Sequence, residues 1–203
     1  MDIMETSNES KNILNSDFDI NSLKIIPIDL SSIYYGYEPL AFIIDNVLTL
    51  EECNTLINLS ENDPNIKYEE ALLNIGGGKQ ISAKDVRNSS RYIRDDFILS
   101  SEIFNRISHV LPQTWQRRKK SFPISCLNER LRFLKYKKGE FFKNHQDGGE
   151  TTFLNNSLNV RIPVVPKPGR VLIFEHQLLH EGSKLIDGIK YVIRTDIMYK
   201  TAQ

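Results

Sequence analysis

From Leu127 to its end the chain changes direction every few residues, and that excludes a helical core for this half. RLRFLKY (130–136) alternates side chains across a pleat. FFKNHQD follows Gly139, and NVRIPVVPKPGRVLIF carries a Pro168-Gly169 turn before an apolar run. KYVIRTDIMY closes the chain. Short strands with Gly and Pro turns, preceded by helices, predict an α+β protein whose core is an antiparallel barrel or jelly roll flanked by helices.

The chemistry-bearing part of this half is the stretch Arg132 to Asp147, RFLKYKKGEFFKNHQD. His145 and Asp147 are two residues apart, so on an extended strand their side chains leave the same face. An imidazole and a carboxylate side by side are two ligands of a 2-His-1-carboxylate facial triad, which holds non-haem iron and leaves positions open for other ligands. His180, in LIFEHQLLHEGSKL, stands in a context suited to the third ligand. His176 precedes it by four, but no Glu follows His176 as a two-histidine metal helix needs, and the segment reads as strand and turn.

Upstream, residues 1–22 are rich in Ser, Asn and Asp without periodicity and read as a disordered tail. LKIIPIDL and PLAFIIDNVL read as strands broken by Pro27 and Pro39. Thr49 and Glu52 form a T-x-x-E capping box before a helix ending near Ser60. Gly76-Gly77-Gly78 reads as a turn, since no Gly-Lys-Ser/Thr follows to cradle phosphate. DVRNSSRYIRDD (85–96) is polar and arginine-rich, a strand and loop near a cleft. Ile103, Phe104, Ile107, Val110 and Leu111 predict a helix over 100–111 ended by Pro112, with His109 off its apolar stripe. Arg117-Arg118-Lys119-Lys120 reads as a solvated loop. The division is a tail (1–22), N-terminal strands and supporting helices (23–126) and a β core (127–203), the last two forming one domain.

Lys plus Arg number 26 and Asp plus Glu 26, so no net field steers the chain to nucleic acid or an acidic membrane. An acidic, polar N-terminus is the reverse of a signal peptide, and no apolar run is long enough for a membrane span; an intracellular soluble protein, cytosolic or nuclear, is expected. Cys53 and Cys126 have no metal-type spacing and read as buried or partly buried free thiols.

Tyr136-x2-Gly139-x2-Phe142-x2-His145-x-Asp147, then Gly169-Arg170-Val171-Leu172-Ile173-Phe174, His180 and Gly188-Ile189-Lys190, resembles the 2-oxoglutarate/Fe(II) dioxygenases of the prolyl 4-hydroxylase type. The resemblance covers about Leu40 to Tyr199. It implies a double-stranded β-helix core, with Fe(II), 2-oxoglutarate and L-ascorbate as cofactors. It also implies hydroxylation of a protein side chain or similar C–H donor, with succinate and CO2 as co-products. His145, Asp147 and His180 would be the metal ligands and catalytic residues. Lys190 stands at the family's position for the cation that holds the far carboxylate of 2-oxoglutarate, and Tyr136 would hydrogen-bond the cosubstrate. Arg194, four residues on, leaves the same face as Lys190 and could serve instead, since arginine grips a carboxylate bidentately and lysine only as a point charge. Whichever of the two does not bind is expected to pair with Asp196.

The chain departs from the family at one place: Asp147 runs straight into GGETTF, where a strand of the core and a loop normally intervene. Three forms are compatible with this: a minimal working barrel, a chain that has lost a segment, and a remnant that binds metal poorly. The alternative function is a catalytically impaired family member acting as a protein-interaction module. Partners would be a protein or small-molecule substrate, with the oligomeric state open.

Overall fold

The computed structural model describes residues 13–15, 17–64, 66–77, 79–117, 120–142 and 148–200. Two helices and many short antiparallel strands build it, an α+β chain as its sequence pattern predicts. In chain order the first half holds β1 (Lys24–Pro27), β2 (Ala41–Asp45), α1 (Leu50–Asn62), β3 (Glu69–Glu70), β4 (Leu73–Gly76), β5 (Lys79–Ile81), β6 (Arg87–Asn88), β7 (Ser90–Asp95) and α2 (Phe97–Ile107). The second holds β8 (Thr114–Arg117), β9 (Lys120–Leu127), β10 (Arg130–Lys137), β11 (Phe141–Phe142), β12 (Thr151–Leu154), β13 (Arg161–Val164), β14 (Val171–Phe174), β15 (His180–Gly182), β16 (Ile189–Arg194) and β17 (Ile197–Tyr199).

Helix α1 starts where its capping box places it. Thr49 Oγ1 accepts from the Glu52 N–H at 3.1 Å, and the Glu52 carboxylate accepts from the Thr49 N–H at 2.8 Å. Helix α2 begins at Phe97, a turn before the apolar stripe suggests. Asp96 causes the shift: its buried carboxylate accepts from the Leu99 N–H at 2.9 Å and is held by Arg94. The α-helix gives way at Ser108 to a 3-10 turn ahead of Pro112. His109 is exposed there, as expected. The basic run is not a plain loop: Arg117 ends β8 and Lys120 begins β9, which pair as a hairpin.

Two sheets dominate. One has the order β16-β10-β7-β3, the other β13-β12-β15-β11-β6. A three-stranded sheet, β1-β2-β14, shares a hydrophobic core with the first, and both pack on the helices there. Phe42 and Ile44 of β2, Val171 and Ile173 of β14, Leu131 and Phe133 of β10 and Ile193 of β16 all join one core with Leu56, Leu99, Ile103 and Ile107 of the helices. The opposite faces of β2 and β14 (Ala41, Ile43, Leu172, Phe174) pack on Phe153 and Val164 of the five-stranded sheet. The opposite faces of β10 and β16 gather Leu134, Tyr136 and Val192 around Leu185. The layers are therefore helices, a composite sheet and the five-stranded sheet.

The expected disordered tail is corrected from residue 13 onward. Leu14 is buried at 6% exposure in the helix-side core. The Asn15 N–H donates to Glu52 Oε1 at 2.6 Å, and its carbonyl accepts from Arg106 Nη2 at 2.9 Å. Phe18 lies under the Arg106 guanidinium at 4.2 Å. A polar composition concealed this because the segment is held by one leucine, one phenylalanine and its own backbone. Residues 1–12 lie outside the described residues.

The Pro168-Gly169 turn forms as expected and locks the layers. Gly169 has φ +71°, and a Cβ there would stand 1.9 Å from the Leu48 carbonyl oxygen. Its own carbonyl accepts from the Val47 and Leu48 N–H groups. Both cysteines are free; Cys53 is partly buried, while Cys126 is exposed on β9, contrary to the burial expected of it.

Candidate functional site

His180 is positioned by three strands and an aromatic wall. It begins β15, opposite Phe153 of β12, while Gly182 of the same strand lies between Thr151 of β12 and Phe142 of β11. The edge of Phe174 meets its ring at 4.7 Å. The Leu179 N–H donates to Tyr34 Oη at 3.1 Å, fixing the turn before it. His180 Nδ1 lies 2.7 Å from the Leu178 carbonyl. A carbonyl can only accept, so Nδ1 carries the proton in this contact. This is the tautomer and orientation that metal-ligating histidines take from such a partner.

Register decides which other side chains share this interior. Partners across antiparallel strands point to the same face, so Phe142, Gly182 and Arg87 lie on the His180 side of the five-stranded sheet. On the facing sheet, Tyr136 is paired with Lys190, Leu134 with Val192 and Arg132 with Arg194. Arg91, opposite Leu134, joins the same face. The enclosed side is strongly basic.

Lys190 is the more enclosed of the two expected anchors. Its Nζ donates to the Gly149 carbonyl and lies 5.4 Å from the Tyr136 ring. Burial lowers its pKa to about 8, with the Glu150 carboxylate acting in the other direction. Glycine suits this seat: φ is +86°, and a Cβ would press on Leu185 Cδ1 at 2.8 Å. Arg194 is exposed. Asp196 pairs with neither of them but with Arg132 at 3.3 Å, which corrects the expected ion pair.

Tyr136 is buried, and burial pushes its hydroxyl up, with Arg87 and Ser89 acting against the shift. Arg87 was not among the candidates drawn from sequence. Its guanidinium lies 5.3 Å over the Phe142 ring, and burial works against its charge. Among the described residues, Arg87 Nε and Glu150 Oε2 are buried without a hydrogen-bond partner. Buried polar atoms in that condition mark a polar ligand or ordered water. The signal for Arg87 lay in the arginine-rich segment 85–96, but nothing local separates an inward arginine from a solvated one.

His145 and Asp147 lie outside the described residues. Among the described residues, no three His, Cys, Asp or Glu side chains form a metal-holding group. His176 is exposed on the turn before His180. A cavity of about 430 Å³ lies elsewhere, between the N-terminal segment and α1, lined by Asp17, Phe18, Asp19 and Pro168 among others; no candidate residue reaches it.

Comparison with known proteins finds no matching family model and no matching curated protein. Among the described residues, no helix is long and apolar enough to cross a membrane.

Proposed function

We propose that this chain is an Fe(II)/2-oxoglutarate-dependent dioxygenase with a double-stranded β-helix core, hydroxylating a protein side chain or similar C–H donor. The observation that carries the reading is the combination of a histidine with Nδ1 tied to a carbonyl and a cluster of cations, Lys190 and Arg87, gathered about the buried Tyr136. The donor set fits the two groups the reading needs. His180 would be one metal ligand through Nε2, and the sequence resemblance assigns the remaining ligand positions to the H-x-D pair His145 and Asp147. Lys190, Arg87 and the Tyr136 hydroxyl suit a dicarboxylate, which enters a desolvated site only with cations and donors already in place. L-Ascorbate is the expected reductant.

Bound Fe(II) would supply oxygen activation coupled to decarboxylation of 2-oxoglutarate to succinate and CO2. The chain's own residues do the rest by position. Lys190, held by the Gly149 carbonyl, would neutralise the far carboxylate. Phe174 packs against the His180 ring, and Phe153 backs Phe174 from the neighbouring strand. The Leu178 carbonyl keeps the proton on Nδ1 and so fixes the orientation of the ring.

The test is succinate release from 2-oxoglutarate with added Fe(II) and ascorbate, by the parent and by a His180→Ala variant of unchanged circular dichroism. Release by the parent and its loss in the variant are expected. No release by a folded parent that also fails to bind Fe(II) would overturn the proposal.

A further inference from the structure

The hairpin that carries Arg117 and Lys120 has two unlike faces. β8 and β9 pair Thr114 with Pro123, Trp115 with Phe122, Gln116 with Ser121 and Arg117 with Lys120. Partners across the strands share a face, as do residues two apart along one strand. Trp115, Phe122, Arg117 and Lys120 therefore lie on one face, and Thr114, Gln116, Ser121 and Pro123 on the other. The second face is uncharged, and Gln116 Nε2 donates there to Ser121 Oγ at 2.9 Å. On the first, the Trp115 ring meets Tyr199 of β17 at 6.1 Å, and the Tyr199 hydroxyl donates to the Pro112 carbonyl at 3.0 Å. Ile124, farther along β9, packs into the helix-side core; among the described residues, Trp115 and Phe122 do not, and both rings stay partly exposed. Arg117 and Lys120 are exposed and directly opposite each other. Like charges so placed destabilise a hairpin, and among the described residues no carboxylate pairs with either. Charges that only guarded the free edge of β8 would serve equally on the polar face, yet both stand at the end of the aromatic row.

We propose that this face binds single-stranded nucleic acid, with bases stacked on Trp115 and Phe122 and phosphates held by Arg117 and Lys120. Aromatic planes beside cations hold single strands in this way without reading their sequence. A polyanion lying against the two cations also relieves their mutual repulsion. An acidic peptide would satisfy the charges but bring no planar partners for the rings. A membrane surface would need apolar side chains at the tip, whereas Gln116, Arg117, Lys120 and Ser121 stand there. A duplex keeps its bases stacked on one another and offers the rings nothing. Acidic and basic side chains are equal in number over the chain, so the attraction is local and the bound stretch short. The inference does not depend on iron or 2-oxoglutarate binding.

Trp115 is the chain's single tryptophan, so its fluorescence reports contact at this face. The full chain is titrated with a short oligothymidylate, with an abasic strand of the same length and with phosphatidylserine vesicles. Saturable quenching by the oligothymidylate is expected, weakened roughly fivefold to tenfold between about 50 and about 200 mM salt, as two phosphate contacts imply. The abasic strand, which has phosphates but no bases to stack, should bind about tenfold more weakly and quench little. Arg117→Ser/Lys120→Ser removes a repulsion, so it should melt no lower than the parent while binding the oligothymidylate about tenfold more weakly. Binding without quenching, equal binding of the abasic strand, or a folded double variant that binds like the parent would overturn the proposal. A change in Trp115 emission with the vesicles and none with the oligothymidylate would assign the face to a membrane surface instead.

Discussion

At the scale of single residues, charge and space decide. Lys190 and Arg194 share a face of β16, but only Lys190 is enclosed and bonded to the Gly149 carbonyl. If the cosubstrate reading holds, Lys190→Ala should raise the 2-oxoglutarate requirement by a few hundred-fold or more, corresponding to about 3–5 kcal/mol for an orphaned carboxylate. Arg194→Ala should raise it far less, and Fe(II) binding should survive in both; titration under saturating Fe(II) measures this. The protonated amine is the binding form, and its pKa of about 8 is below that of an ordinary lysine. Affinity for 2-oxoglutarate should therefore fall as pH rises through about 8, and Lys190→Arg should move that fall to higher pH. Gly169 illustrates space. With a positive φ and the Leu48 carbonyl against it, Gly169→Ala should cost about 2–4 kcal/mol in chemical denaturation; a change within experimental error would show that the turn can shift freely.

At the scale of elements, α1, α2 and the N-terminal segment form one locked unit. Arg106 of α2 donates to both Glu52 oxygens, at 2.9 and 2.6 Å, and to the carbonyls of Val47 and Asn15. Burial pushes the Glu52 carboxyl up, but the bonds from Arg106, Thr49 and Asn15 outweigh it and hold the carboxyl at about 2. A carboxylate depressed on folding stabilises the protein above its unfolded pKa near 4.5, and that contribution is lost as pH falls towards 2. It is worth about 3 kcal/mol. Urea denaturation of the parent should show this acid loss, and Glu52→Gln should be less stable at neutral pH and flatter across the acid range. A chain starting at Leu23 loses Leu14, Asn15 and Phe18 and should be less stable by about 2–4 kcal/mol. An unchanged melting temperature would mean that α1 and α2 close over the vacated site unaided.

At the scale of the whole molecule, the two halves cannot be separated. β10 lies between β16 and β7, and β14 pairs with β2, so the core runs through both. Residues 127–203 alone would expose the helix-side faces of β10, β14 and β16, and we expect that fragment to show no cooperative thermal transition. Local sequence determined a great deal here. Thr49 and Glu52 set the start of α1, Gly169 set a turn, and the alternation in RLRFLKY set β10, because caps, turns and pleats act over a few residues. The sequence also singled out His180 and Lys190 through spacing and resemblance. Tertiary structure alone decided what depends on distant partners. It buried Leu14 in the helix-side core, turned Arg87 toward Tyr136, gave Asp196 to Arg132, and, among the described residues, left β14 and β16 at the ends of their sheets. Each of these joins groups far apart in the chain, and a residue's own neighbours carry no information about which remote surface will shield it from water.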